Sequence, residues 1–159
     1  CQRYRYLLGW PADPEGEGIA LFVLANPSTA TAEKTDPTVA RCIAYSARWG
    51  YAWCHVMNAR AWRETNPQLV PADPLAISEP EEPSKNDELI QAEALKAGIV
   101  ICGWGQLAGA RGAKILAYLR AVGVRPHALA LNEDGTPRHP LARGKLAIPK
   151  DIRPVLIPA

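Results

Sequence analysis

The sequence predicts an α/β fold in three layers, αβα, with a central mostly parallel sheet. Three observations carry that prediction. Short apolar runs recur at residues 19–25, 53–57, 99–102 and 127–131. Segments with helical start and stop signals separate them. Each of the first two runs ends abruptly in a polar residue, Asn26 or Asn58. Strands that alternate with helices pair in parallel, and their buried faces read as continuous apolar runs.

The elements follow in order. Residues 3–10 alternate enough to form an edge strand, and residues 11–18 are a turn-rich loop. Residues 19–25 form a fully buried strand. Thr35-Asp36-Pro37-Thr38 starts a helix, with a capping side chain and a proline in the first turn. Val39, Ile43 and Ala47 share one face of it, and Gly50 stops it. Residues 53–57 form a second buried strand that ends in Asn58. Residues 59–86 are irregular and proline-rich, a length of loop that compact domains keep for function or mobility. Asn86-Asp87 caps the next helix, which runs through Leu89, Ile90 and Leu95 to Gly98. A third strand at 99–102 leads through Gly103-Trp104-Gly105 into a helix bearing Ile115, Leu116 and Leu119, which ends near Gly123. The fourth strand is 127–131, and a short final strand is expected at 155–157.

The 159 residues suit one domain, residues 1–159, with one core. A composition of 48% hydrophobic and 21% charged residues is that of a globular protein in water. No apolar run approaches the roughly 20 residues that span a bilayer. No signal peptide is visible, so a cytoplasmic monomer without membrane association is expected. A formal charge of +2 does not by itself argue for nucleic acid. The four cysteines, Cys1, Cys42, Cys54 and Cys102, form no C-x-x-C pair, which removes support for zinc-ribbon and iron–sulfur sites. Buried reduced thiols explain them. The three histidines show no metal-ligand spacing, and no cofactor is expected.

Gly103-Trp104-Gly105 with Gly109 imitates a dinucleotide fingerprint. Its spacing is one residue too long, Trp104 stands where a pyrophosphate should approach, and no acidic residue follows about 20 positions on. A tight strand-to-helix turn, with Trp104 lining a cleft, is the better reading. Asn26-Pro27-Ser28-Thr29 ends the first buried strand. A separate helix start at Asp36 means that Asn26 is not needed as a cap, so it is read as a displayed polar group. Asn58 ends the neighbouring strand. Its amide offers donor and acceptor together, which suits a nucleobase edge, though it could equally satisfy its own turn. His139 lies between Pro137 and Pro140, which fix the backbone on both sides of its imidazole. His55 and His127 lie in apolar runs and are read as structural. Arg60, Arg63, Arg138, Arg143, Lys145, Lys150 and Arg153 form either a basic collar for phosphates or an ordinary solvated face.

Arg3-Tyr4, Leu24-Ala25-Asn26-Pro27-Ser28-Thr29-Ala30, Asp36-Pro37-Thr38 with Arg41, Trp49-Gly50-Tyr51, Asn58, Asn86-Asp87, Trp104-Gly105 and the block from Gly135 to Leu141 occur in that order. In this the chain resembles the bacterial and phage family called domain of unknown function 1643, over nearly its whole length. It departs from the usual pattern at Ala25 and Ala59, where Leu is common. A more distant resemblance is to the uracil-DNA glycosylase superfamily, in which a first strand ends in a polar-Pro motif, a middle strand ends in Asn, and a late turn carries His-Pro.

That second resemblance implies a uracil-DNA glycosylase-like fold and an N-glycosidase acting on a nucleobase in DNA or in a nucleotide. Asn26-Pro27 would position water, Asn58 would read the base, and His139 would stabilise the departing base. Ser28 and Thr29 would line the same site, with Arg60 and Arg138 near the phosphates. Trp104 or Trp62 would stack on the base, and Leu141 would replace it in the duplex. A bulky aromatic blocks pyrimidine C5 in uracil-specific relatives, whereas this chain has Ser28, which implies room for a C5-modified or enlarged base. The alternative is a non-catalytic domain of the same fold that binds a nucleotide or nucleic acid. A third reading, a transferase or hydrolase using Asp36 or Cys54, is weaker, because a helix cap explains the first and core packing the second.

Overall fold

The structure, a computed structural model, describes residues 4–25, 27, 33–61 and 84–159. Among these residues the chain forms β1 (Leu8–Pro11), β2 (Ile19–Leu24), α1 (Pro37–Arg48), β3 (Trp53–Asn58), α2 (Lys85–Lys96), β4 (Ile99–Cys102), α3 (Ala110–Ala121), β5 (His127–Ala128) and β6 (Val155–Leu156). The six strands form one mixed sheet in the order β1-β3-β2-β4-β5-β6. The four inner strands are parallel, and the two edge strands run antiparallel to their neighbours.

Strand periodicity assigns the two faces. Ala20, Phe22 and Leu24 of β2 pack with Cys54 and Val56 of β3 against Val39, Cys42 and Tyr45 of α1. The alternate residues Leu21, Val23 and Met57 pack against Ile90 and Ala94 of α2 and Ile115 and Leu119 of α3. Among the described residues, one helix therefore covers one face and two cover the other. The strand order reverses at β2: the route through α1 leads to β3 on one side, and β4 lies on the other. The crevice outside the carboxyl ends of such strands is where open α/β sheets hold ligands.

Several expectations are corrected. The helix expected to start at Asn86-Asp87 is capped two residues earlier, by Ser84. Asp87 completes a capping box, its carboxylate accepting from the Ser84 N–H at 3.0 Å. The buried face of α1 is Val39, Cys42, Tyr45 and Ser46 rather than a Val39, Ile43, Ala47 stripe. The fourth strand is two residues long, because residues 130 and 131 leave the sheet to pair with Arg138 and Pro137. The edge strand is Leu8–Pro11, shorter than residues 3–10. No described helix is long and apolar enough to cross a membrane.

Candidate functional site

A cavity of about 180 Å³ lies at the carboxyl edge of the sheet on the α1 side. Its polar lining comes from Arg5, Asp36, Thr38, Asn58 and His139, and its apolar lining includes Trp10, Pro27 and Leu107. Each polar group arrives there for a local reason.

Asn58 is the last residue of β3 and pairs in register with Leu24, the last of β2. Side chains alternate along a strand, so Asn58 shares the α1 face with Cys54 and Val56. It is 5% exposed, and no described residue hydrogen-bonds its side-chain amide. Its backbone carbonyl does have a partner, the Asn86 Nδ2 at 2.9 Å, on the opposite side of the sheet. The side chain thus faces the cavity while the main chain is fixed from behind.

His139 is delivered by a hairpin after β5. Arg138 N–H donates to the Ala130 carbonyl at 2.8 Å, Leu131 bridges Pro137, and Asp134 accepts from the Thr136 hydroxyl and N–H. The hairpin is tied to the loop after β4, where the Gly105 N–H donates to the Pro137 carbonyl at 2.8 Å. Pro140 then lies against Gly103, whose absent Cβ would sit 3.2 Å from both Pro140 Cδ and Leu24 Cδ2. A methyl there would press on both, so glycine lets the His139-Pro140 turn lie close against the strand ends. Nδ1 of His139 accepts the Leu141 N–H at 3.1 Å, so the neutral ring carries its proton on Nε2. Burial pushes the His139 pKa below its ordinary value, and the Asp36 charge opposes this in part.

Asp36 is both cap and wall. Its Oδ1 accepts from the Val39 N–H at 2.8 Å, and it lines the cavity. The sequence reading found only the first role. Arg5 and Trp10 were missed as well. Which way an edge strand faces is settled by its partner: here Leu8 lies opposite Val56 and Trp10 opposite Cys54, which turns both toward α1. The Trp10 indole N–H is buried without a hydrogen-bond partner.

The other expected site residues separate. Asn26, Ser28, Thr29, Trp62 and Arg63 lie outside the described residues. Trp104 is 2% exposed and packs in the α2/α3-side core rather than lining the cavity. A Cβ on Gly112 would come within 2.5 Å of its indole nitrogen, so that helical glycine makes its slot. Arg60 donates to the carbonyls of Leu107 and Ala108 at 2.8 and 3.4 Å. Arg138 donates to the Asn132 side chain and to the carbonyls of Leu131 and Leu146. Both are engaged by the protein itself. Leu141 lines a separate groove with Pro37, Ala40, Tyr45 and Lys150, so it does not stand at the cavity mouth. The basic collar also divides, because Arg153 lies beside Tyr51 and Ile99, near the amino ends of β3 and β4.

Three further expectations are resolved. His55 pairs with Glu93, and His127 with the Arg125 carbonyl, away from the cavity. Cys42, Cys54 and Cys102 are buried and free, and burial raises all three thiol pKa values, that of Cys54 to about 12. A thiol so hard to ionise is a poor nucleophile. Each glycine of the pseudo-fingerprint has a structural duty: Gly103 admits Pro140, while Gly105 and Gly109 adopt positive φ. Among the described residues no cluster of His, Cys, Asp and Glu could hold a metal ion.

The family described as Protein of unknown function (DUF1643) matches residues 5–141, and the chain belongs to that family. No curated protein and no solved structure is similar enough to the chain to be matched.

Proposed function

We propose that this protein is an N-glycosidase of the DNA glycosylase type. It releases a nucleobase, C5-modified or otherwise enlarged, from DNA or from a nucleotide, with a layout similar to that of the uracil-DNA glycosylase superfamily. The observation that supports this reading is the convergence of Pro27, Asn58 and His139 on one cavity. These residues come from the ends of three different segments, and the cavity combines apolar walls with a few polar groups, as a site for a flat heterocycle requires.

The chemistry follows from the charges of the reaction. Breaking a nucleoside C–N bond leaves positive charge on the sugar and negative charge on the base. The neutral His139 donates from Nε2 to a base oxygen as that negative charge grows. The Asn58 amide pairs with the base edge through its donor and acceptor together. Asn26 orients a water toward C1′, and the water oxygen forms the new bond while its proton passes to the released base. Asp36, a carboxylate in the same cavity, opposes the positive charge of the sugar.

The test is base release from a panel of oligonucleotides carrying uracil and C5-modified pyrimidines. The wild type is expected to leave an abasic site on at least one of them. His139→Ala and Asn26→Ala should each slow release by about 100-fold or more. Binding of the panel without base release under any condition would instead identify a non-catalytic nucleic-acid-binding domain. Activity on uracil that one added C5 methyl abolishes would refute the enlarged pocket.

A further inference from the structure

We infer that the groove between α1 and residues 141–150 is a docking site for an acidic amphipathic helix of a partner protein. The inference stands apart from the base-excision reading, since the groove and the cavity share no lining residue.

The groove has a volume of about 400 Å³. One wall is the outer side of α1, where the exposed Pro37, Ala40, Ala44 and Arg48 recur at helical spacing. From Pro37 to Arg48 that wall runs along about 16 Å of helix axis. The other wall is the segment after His139, through Leu141 and Lys150. Side chains of α1 and of the residue after it pin this segment by its backbone. The Tyr45 hydroxyl donates to the Pro149 carbonyl at 3.2 Å, Arg41 Nη1 to the Ile148 carbonyl at 3.4 Å, and the Trp49 indole N–H to the Ile152 carbonyl at 3.1 Å. The groove is therefore preformed, and binding does not have to order its walls.

Its floor is apolar and its rim is cationic. Pro37, Ala40, Ala44 and Leu141 supply the first, and Arg41, Arg48 and Lys150 the second. Among the described residues no acidic side chain lines it. Arg48 and Lys150 have no hydrogen-bond or ion-pair partner among the described residues. The charge extends beyond the groove. α1 contains no acidic residue, and between residues 141 and 153 Arg143, Lys145, Lys150 and Arg153 stand against Asp151 alone. The whole chain carries only +2, so positive charge is concentrated on this side of the molecule. A partner that fits must bring carboxylates to the rim and an apolar strip to the floor. An acidic amphipathic helix brings both, and the small side chains of Ala40 and Ala44 let its axis approach α1 closely. The length of the groove matches about three turns of such a helix. A phosphate backbone satisfies the charge alone, and it would be desolvated against the apolar floor.

The experiment measures binding of the whole protein to a fluorescein-labelled peptide of about four helical turns, with leucine at helical spacing among glutamates. Its controls are the same peptide with lysine in place of glutamate, and a short DNA duplex. The glutamate peptide is expected to bind at least about tenfold more tightly than the lysine peptide, and less tightly as salt rises. Ala44→Glu places a carboxylate on the floor, and Arg48→Glu reverses a rim charge; each should weaken binding by about tenfold or more. Both positions are exposed, so both variants should unfold at the wild-type temperature. NMR shift changes in the wild type on adding the peptide should centre on Ala40, Ala44, Leu141 and Lys150. Absence of glutamate-peptide binding, equal binding of the two peptides, wild-type affinity in Ala44→Glu or shift changes centred elsewhere would each overturn the inference. Tighter binding of the duplex than of the glutamate peptide, lost in Arg48→Glu, would also overturn it and assign this face to a phosphate backbone.

Discussion

The end of β3 carries two polar clusters, one on each face of the sheet, and they are built on opposite plans. On the α2/α3 side, Asn86 donates to the carbonyls of Asn58 and Ala59. Arg111 donates to the Ala59 carbonyl and pairs with the buried Asp87, which is also bonded to Ser84. Apart from Asn86 Oδ1, the buried side-chain polar atoms there have partners. On the α1 side, among the described residues, the Asn58 amide has none and the His139 imidazole is fixed only through Nδ1. A saturated network holds the strand end in place, and the unsaturated one faces a cavity. Buried polar groups are normally partnered, so the open cluster is the one placed to meet a ligand.

That contrast can be broken most severely from the closed side. Arg111→Ala leaves Asp87 buried without its cation and should cost about 3–5 kcal/mol of stability in urea unfolding. Asn58→Ala keeps the carbonyl that Asn86 needs and should cost under about 1 kcal/mol. Similar losses for the two variants would erase the distinction between the clusters.

Gly103→Ala sharpens the comparison at the cavity itself. The new methyl would press on Pro140 and Leu24, costing about 1–3 kcal/mol of stability. It also displaces the His139 turn, and a shift of about 1 Å there should slow base release by about 100-fold. A stability loss with an unchanged rate would show that the position of His139 does not depend on this contact.

A smaller effect concerns pH. The folded pKa of His139 lies below 6.5, the ordinary value expected in the unfolded chain. Between those two values the unfolded state binds more protons, so stability falls as pH drops from 6.5 toward the folded pKa and levels off below it. Protonation would also set an Nδ1 donor against the Leu141 N–H. Base release should therefore persist through pH 6.5 and decline only below it. NMR titration of the ring, beside the pH–rate profile, checks both; a midpoint at or above 6.5 contradicts the burial.

The smallest effect is expected for Trp10→Phe, which removes an unpartnered buried N–H while keeping an aromatic wall. Stability should stay within about 1 kcal/mol of wild type by thermal unfolding.

Much of this was legible in the sequence. The apolar runs of β2, β3 and β4 declare themselves because those strands are buried on both faces, and Asp36-Pro37 marks the start of α1 by its chemistry. Asn58 and His139 were found because a strand end and a proline-bracketed turn are local signals. The wall formed by Trp10 was not, since its direction comes from pairing with β3. Leu107, which lines the cavity, also carried no local mark; Arg60, which donates to its carbonyl, lies far away in sequence. Trp104 was misplaced although a clue existed. A glycine inside a helix costs about 1 kcal/mol against alanine, and Gly112 signals that something bulky presses on α3.

The contact of Pro140 with Gly103 and Leu24 has a consequence for biosynthesis. The inner parallel strands are all encoded before residue 129, whereas the imidazole wall arrives only with the turn that follows. A nascent chain can therefore assemble its central sheet while still lacking one side of the hollow. The cavity is therefore completed late, once that turn has emerged and seated against the strand ends.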